Sequence, residues 1–209
     1  MPQIVNYPLL EGQLLLQEGD VLLYRGTGFI SKCIQKLTKG QYSHVAIASQ
    51  TLGGTWESVQ FREFKGGLSI SLENDIVYNK SVIDVYRPVP FFSSMVFNEE
   101  LKKVEQSRIK FEGEKVTACM RSMTGLAYSY GRIYFLWRYY TRFWYDWAPT
   151  VTDDRPLDEL IFPVCSTAIA HCFNKNGYDL MKNKSDEYMV PQNIAESARL
   201  NYLFTLTAD

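Results

Sequence analysis

Two periods of hydrophobic and polar positions alternate along this chain, and the switches between them mark out its elements. Residues 21–24 are a short apolar run behind the turn Glu18-Gly19-Asp20, which predicts a buried strand. Between 29 and 37 the apolar residues are Phe29, Ile30, Cys33, Ile34 and Leu37, a helical spacing that Gly40 ends. Residues 43–49 and 55–61 are β-like, and Leu52-Gly53-Gly54 between them predicts a hairpin. A strand is expected at 81–86, closed by Arg87-Pro88, and a mostly polar helix at 98–120, interrupted by Gly113. The C-terminal part predicts a helix at 164–174 stopped by Asn176-Gly177, a short helix at 192–199 and a last strand at 202–207. This order predicts an α+β fold with a largely antiparallel sheet packed on helices.

Composition narrows the picture. The 209 residues suit a single domain over 1–209, with 46% hydrophobic and 22% charged residues. A formal charge of −1 gives no global field favouring nucleic acid or an anionic membrane, so only local basic patches could act that way. No run reaches the roughly 20 apolar residues of a membrane span. The N-terminal segment lacks a basic start and a small-residue cleavage site, so no signal peptide is expected. That predicts cytoplasmic residence, with delivery in a virion or into a host cell left open. It also predicts four reduced cysteines, Cys33, Cys119, Cys165 and Cys172.

The candidate chemistry centres on Cys165. Pro163 stands just ahead of it, and Ala168, Ile169, Cys172 and Phe173 form an apolar stripe behind it. Cys165 is thus placed in the first turn of a core-facing helix, where unpaired amides and the helix dipole favour a thiolate. It is expected to alkylate faster than Cys33, Cys119 or Cys172. The alternative is a cysteine that is only a small core residue. Cys172 lies mid-helix and reads as packing. His171 is about 240° round the helix from Cys165 and should not face it. His44 is the other histidine, on a strand whose same face carries only Ala46 and Ala48. It is the expected base for Cys165, at about 3–5 Å; a hydrogen-bonded core histidine is the alternative. Glu57, Gln60 and Glu63 could each hold the imidazole, and Glu57 is preferred because it shares a strand face with Val59 and Phe61. No ligand spacing suits zinc and no Gly-Lys-Ser/Thr follows Gly26 and Gly28, so neither metal nor cofactor is expected.

Gly19-Asp20 before a strand, Ser43-His44-Val45 opening a strand, Glu57 on the next, and Val164-Cys165-Ser166-Thr167 opening a late helix form an ordered set. Together they resemble the circularly permuted, papain-like branch of the NlpC-type cysteine hydrolases, most closely the YiiX-like amidases. Tyr128-Ser129-Tyr130 is similar to that family's small-Tyr-Asp segment, and Val190-Pro191-Gln192 to its proline segment. The resemblance implies a permuted papain-like fold and a Cys165, His44, Glu57 triad acting through an acyl-enzyme. It implies an oxyanion site of the Cys165 amide with Tyr24. The implied substrate is an amide in a peptide, a cell-wall peptide, an acylated small molecule or a lipid. Lipid acyl transfer and a non-catalytic binding or structural module on the same fold are the alternatives it allows.

One segment departs from that pattern. Eleven of the twenty residues from 128 to 147 are aromatic, against 14% for the chain. This reads as an insertion at about 126–150. Ile133, Trp137, Tyr140 and Trp144 recur at helical spacing, which suits packing on the domain. The other rings, interleaved with Arg132, Arg138 and Arg142, suit an apolar wall beside Cys165 or a protein-partner patch. Tyr130 and Trp137 are the substrate contacts expected from the run.

Overall fold

A computed structural model describes residues 5–63, 65–79, 82–98, 102–128, 164–182 and 184–208. Nine strands appear among them: β1 Asn6–Pro8, β2 Val21–Arg25, β3 His44–Gln50, β4 Trp56–Arg62, β5 Gly66–Ser71, β6 Val82–Pro88, β7 Phe91–Asn98, β8 Lys103–Lys110 and β9 Leu200–Thr207. The helices are α1 Leu9–Gly12, α2 Phe29–Thr38, α3 Leu72–Asn79, α4 Gly113–Ser122, α5 Cys165–Lys175 and α6 Pro191–Ala195. The fold is α+β. Seven strands form one sheet in the order β1-β9-β6-β2-β3-β4-β5, and β7 and β8 form a separate pair. Every pairing is antiparallel except β1 with β9.

Strand alternation divides the core into two layers. Val21, Leu23, Val45, Ile47, Val59 and Phe61 face one way, and join Val116 and Met120 of α4 with Ile169 and Phe173 of α5. Leu22, Tyr24, Ala46 and Ala48 face the other way, and join Leu72 and Ile76 of α3. The small Ala46 and Ala48 let α3 approach its side of the sheet.

Three expectations are corrected here. The helix expected at 98–120 begins only at Gly113, and 103–110 is instead β8, paired with β7 from Phe91–Lys110 to Asn98–Lys103. The polar residues of β8 suit a helix by propensity, but β7 needs a partner and context overrides propensity. Second, β5 and α3 were not foreseen. Gly66 takes φ 72°, and a Cβ there would stand 2.0 Å from the Leu126 carbonyl oxygen, so Gly66-Gly67 opens a strand rather than a turn. Third, Cys119 of α4 and Cys172 of α5 are not free thiols. They form a disulfide with Cα atoms 5.6 Å apart across the helix contact. Closing a 53-residue separation constrains the unfolded chain by about 4 kcal/mol in the chain-entropy view. Disulfides belong to oxidising compartments, so the reduced set that accompanied the expectation of cytoplasmic residence does not hold.

Candidate active site

Helix α5 begins with an apolar N-cap. Val164 offers no side-chain oxygen to the first-turn amides. Thr167 instead links back to Val164: its Oγ1 accepts from the Val164 N–H at 3.1 Å and donates to the Val164 carbonyl at 3.1 Å. Ser166 Oγ donates to the Met189 carbonyl at 2.7 Å, tying the helix start to the chain that leads into α6. Pro191 opens α6. The next residue, Gln192, accepts from the Gln41 N–H at 3.0 Å and lies so close to Gly40 that a Cβ there would stand 2.4 Å from its Oε1. The proline segment thus braces the loop that delivers His44.

Cys165 is buried, 6% exposed, in the α5-side core. Burial pushes its thiol up to about 11, opposed by the amides of Val45, Ser166 and Cys165 itself and reinforced by the nearby Glu63 carboxylate. The Val45 amide is open to the sulfur for a reason of register. The β3–β4 ladder begins at Ala46–Gln60, one residue after Val45. Cys33 is the exposed free cysteine and Cys165 is buried, so access to reagent runs against the expected preference for Cys165 over Cys33.

His44 lies on the other side of the sheet. Its ring meets Tyr24 edge-on with centroids 5.1 Å apart, and its Nε2 is 2.6 Å from Gln60 Oε1. The orientation of the Gln60 amide follows from its neighbours. Its Nε2 donates to Asp75 Oδ2 at 2.9 Å and to Ser58 Oγ at 2.8 Å, and its Oε1 accepts from Arg62 Nε at 2.9 Å. A carboxylate takes only donors. Oε1 therefore points at His44, Nε2 of the imidazole carries the proton, and Nδ1 is left as the acceptor nitrogen. Burial pulls the His44 pKa down to about 4, which the bond to Gln60 and the charge of Asp75 only partly offset.

Asp75, on α3, anchors this network. Besides Gln60 it accepts from Tyr24 Oη at 2.5 Å and Ser58 Oγ at 2.7 Å, and Arg62 closes an ion pair on its other oxygen. No sequence signal pointed to it, since it lies in the unforeseen helix.

The expected site residues are thus partly gathered. Cys165 and His44 flank the same backbone step, the sulfur beside the Val45 amide and the imidazole on Gln60, with no hydrogen bond between them. Glu57 is not at His44. It pairs with Ser49, three steps along the ladder from Gln60, and bonds Ser69 Oγ at 2.7 Å and Arg121 Nη2 at 3.1 Å. The shared-face argument gave Glu57 the wrong side: residues 58 and 60 face α3, whereas Glu57 alternates with Val59 on the α4 side. Tyr24 does not serve the oxyanion either, because its one hydroxyl proton is held by Asp75, and burial with that carboxylate raises its pKa far above the usual phenol value. Tyr130 and Trp137, with the rest of the aromatic run beyond Tyr128, lie outside the described residues.

No protein-family model matches the chain. No curated protein matches it either. Among solved structures it is similar to the crystal structure of metalloprotein YiiX from Escherichia coli O157:H7, DUF1105, with a TM-score of 0.55 and 13% identity over 90% of this chain and 96% of that one. At that identity the likeness shows the fold alone. That protein is described as a metalloprotein. Among the described residues of this chain, no three His, Cys, Asp or Glu side chains gather into a metal-holding group.

Proposed function

We propose that this protein is a cysteine hydrolase of amide bonds on a circularly permuted papain-like frame, with Cys165 as nucleophile, His44 as base and Gln60 as the residue that orients the imidazole. The observation that carries the reading is the convergence at one strand end: a helix-start sulfur beside three amides, one of them belonging to the residue after His44, and an imidazole whose tautomer leaves Nδ1 free. The reaction requires the imidazole of His44, the first residue of β3, to reach round the strand end to the sulfur; Nδ1 then takes the thiol proton as sulfur bonds to the carbonyl carbon. The amides of Cys165 and Val45 face the developing oxyanion. The imidazolium then protonates the leaving amine, and water releases the acyl group. Burial holds both partners neutral, so proton transfer accompanies attack instead of preceding it. The substrate is an amide in a peptide, a cell-wall peptide or an acylated small molecule. The raised thiol, with no hydrogen bond between Cys165 and His44, favours a second reading, a non-catalytic module.

The test is hydrolysis of a p-nitrophenyl ester with mass-spectrometric trapping of the acyl-enzyme. Cys165→Ala and His44→Ala each lose at least about 100-fold, Gln60→Ala loses activity, and Glu57→Gln keeps it. With His44 at about 4, the rate falls only on the acid side near that value and shows no step between pH 6 and 8. Turnover unchanged in Cys165→Ala overturns the proposal, and no acylation under any condition supports the non-catalytic module.

A further inference from the structure

Helix α2 leaves part of its apolar surface uncovered. Helical geometry puts Phe29, Cys33 and Leu37 on one stripe and Ser31, Gln35 and Thr38 on the opposite one. In a surface helix the apolar stripe normally faces the core. Here Ile34 and Leu37 are only half-buried, and the helix is tied down through Gln35, whose Nε2 donates to the carbonyls of Gly26 at 3.0 Å and Gln41 at 2.8 Å, in the loops at the two ends of the helix. Phe29 is left 83% exposed, Cys33 is exposed, and Leu37 is half-buried. At Gly28, just ahead, no atom lies within 4 Å of where a Cβ would stand, so nothing described covers the helix start.

The charges around this face have one sign. Lys32 and Lys36 are exposed and lie beside the Phe29 stripe, about one and two turns further along the helix. Lys39 follows at the C-cap. Between Asp20 and Glu57 the chain has no acidic residue, although its formal net charge is −1. An exposed aromatic ring beside a row of lysines is complementary to a surface with an apolar interior and an anionic rim. The ring enters the acyl boundary, and the lysine stems lie along it while their ammonium groups reach phosphates.

We propose that α2 docks the protein on an anionic lipid surface. The docking does not depend on the chemistry of Cys165. On the hydrolase reading, however, it places the loop that delivers His44 close to that surface and selects amides carried by lipids.

The experiment is flotation of the full chain with phosphatidylcholine vesicles, with and without phosphatidylserine. Binding is expected only with phosphatidylserine and is expected to weaken as salt is raised. Phe29→Ser binds about tenfold more weakly, and the double variant Lys32→Glu, Lys36→Glu at least about 25-fold more weakly. Cys165→Ser binds as the wild type does, which separates this proposal from the hydrolase reading. All these α2 positions are exposed, and circular dichroism checks that the variants fold. Three results overturn the proposal. One is no phosphatidylserine-dependent binding. Another is undiminished binding by the α2 variants, which moves the membrane contact elsewhere. The third is a dimer in light scattering that Phe29→Ser dissociates without any lipid binding, which makes α2 an interface between copies.

Discussion

The two sides of the sheet at the Val45 step treat their chemical groups in opposite ways. On the α3 side, His44 sits in a saturated polar network: Gln60, Ser58, Tyr24 and Arg62 all converge on Asp75. On the α5 side, Cys165 joins an apolar cluster and is met by backbone amides, with a carboxylate nearby that opposes its ionisation. One side fixes a tautomer through many directional bonds, whereas the other withholds charge from a thiol by keeping water away. The difference separates what holds the base in place from what sets the reactivity of the nucleophile. Changes on the α3 side should therefore act first on stability, and changes on the α5 side on reactivity.

The largest expected effect comes from removing the anchor of the network. Asp75→Ala leaves the Tyr24 hydroxyl, Ser58, the Gln60 amide and the Arg62 guanidinium without their shared acceptor inside the protein. Removing one partner of a buried charge pair costs about 3–5 kcal/mol. Cys165→Ala deletes only one small buried group, worth about 1 kcal/mol. Urea unfolding monitored by tryptophan fluorescence should place the midpoint of Asp75→Ala far below that of Cys165→Ala. Equal midpoints would show that Asp75 does not hold this side together.

A smaller effect of the same network is a pH dependence of stability. His44 has its pKa lowered from 6.5 to about 4 by burial. The unfolded chain therefore takes up a proton below pH 6.5 that the folded protein refuses until about pH 4. The contribution of His44 to stability is complete above 6.5 and declines as pH falls through that window, by up to about 3 kcal/mol. His44→Gln removes this dependence. Unfolding of both proteins at pH 7 and pH 4.5 measures it, and a wild-type loss no greater than that of His44→Gln would mean the imidazole is not held neutral.

The residues that were legible in the sequence had local signals. Strand β2 is a short apolar run behind a turn, the Leu52-Gly53-Gly54 turn fixes the β3–β4 hairpin, and the apolar stripe behind Cys165 marks α5. His44 and Cys165 could be singled out because histidine is scarce and the helix start is well marked. The third residue was less accessible. Choosing between Glu57 and Gln60 needs the β3–β4 register and the placement of α3, and neither is local information. Asp75 lies in a short helix of mixed composition behind a glycine pair, where the hydrophobic pattern is weakest. The Cys119–Cys172 bond depends on how α4 and α5 pack, and one of those helices was read with its N-terminus well upstream of where it begins. Sequence pattern showed which groups could act, and tertiary contacts decided which of them meet.

The smallest expected effect tests the α5 side alone. Glu63 follows the end of β4, and its own carboxyl is raised by burial. Its charge adds to the burial that lifts Cys165 to about 11. Glu63→Gln removes the charge and leaves the burial, so the thiol pKa should fall part of the way. A decrease of about half a unit triples the thiolate fraction below the pKa. Iodoacetamide labelling of Cys165 at pH 8.5 should therefore quicken about threefold. The experiment is done in a Cys33→Ser background, because Cys33 is the exposed free cysteine. Glu57→Gln is the control: its carboxylate is engaged by Ser69 and Arg121 and is not among the groups acting on the sulfur. An unchanged rate in Glu63→Gln would leave burial alone to set the thiol and remove Glu63 from the site. Equal acceleration by Glu57→Gln would mean that general surface charge governs the sulfur, and the contrast between the two sides would lose its α5 half.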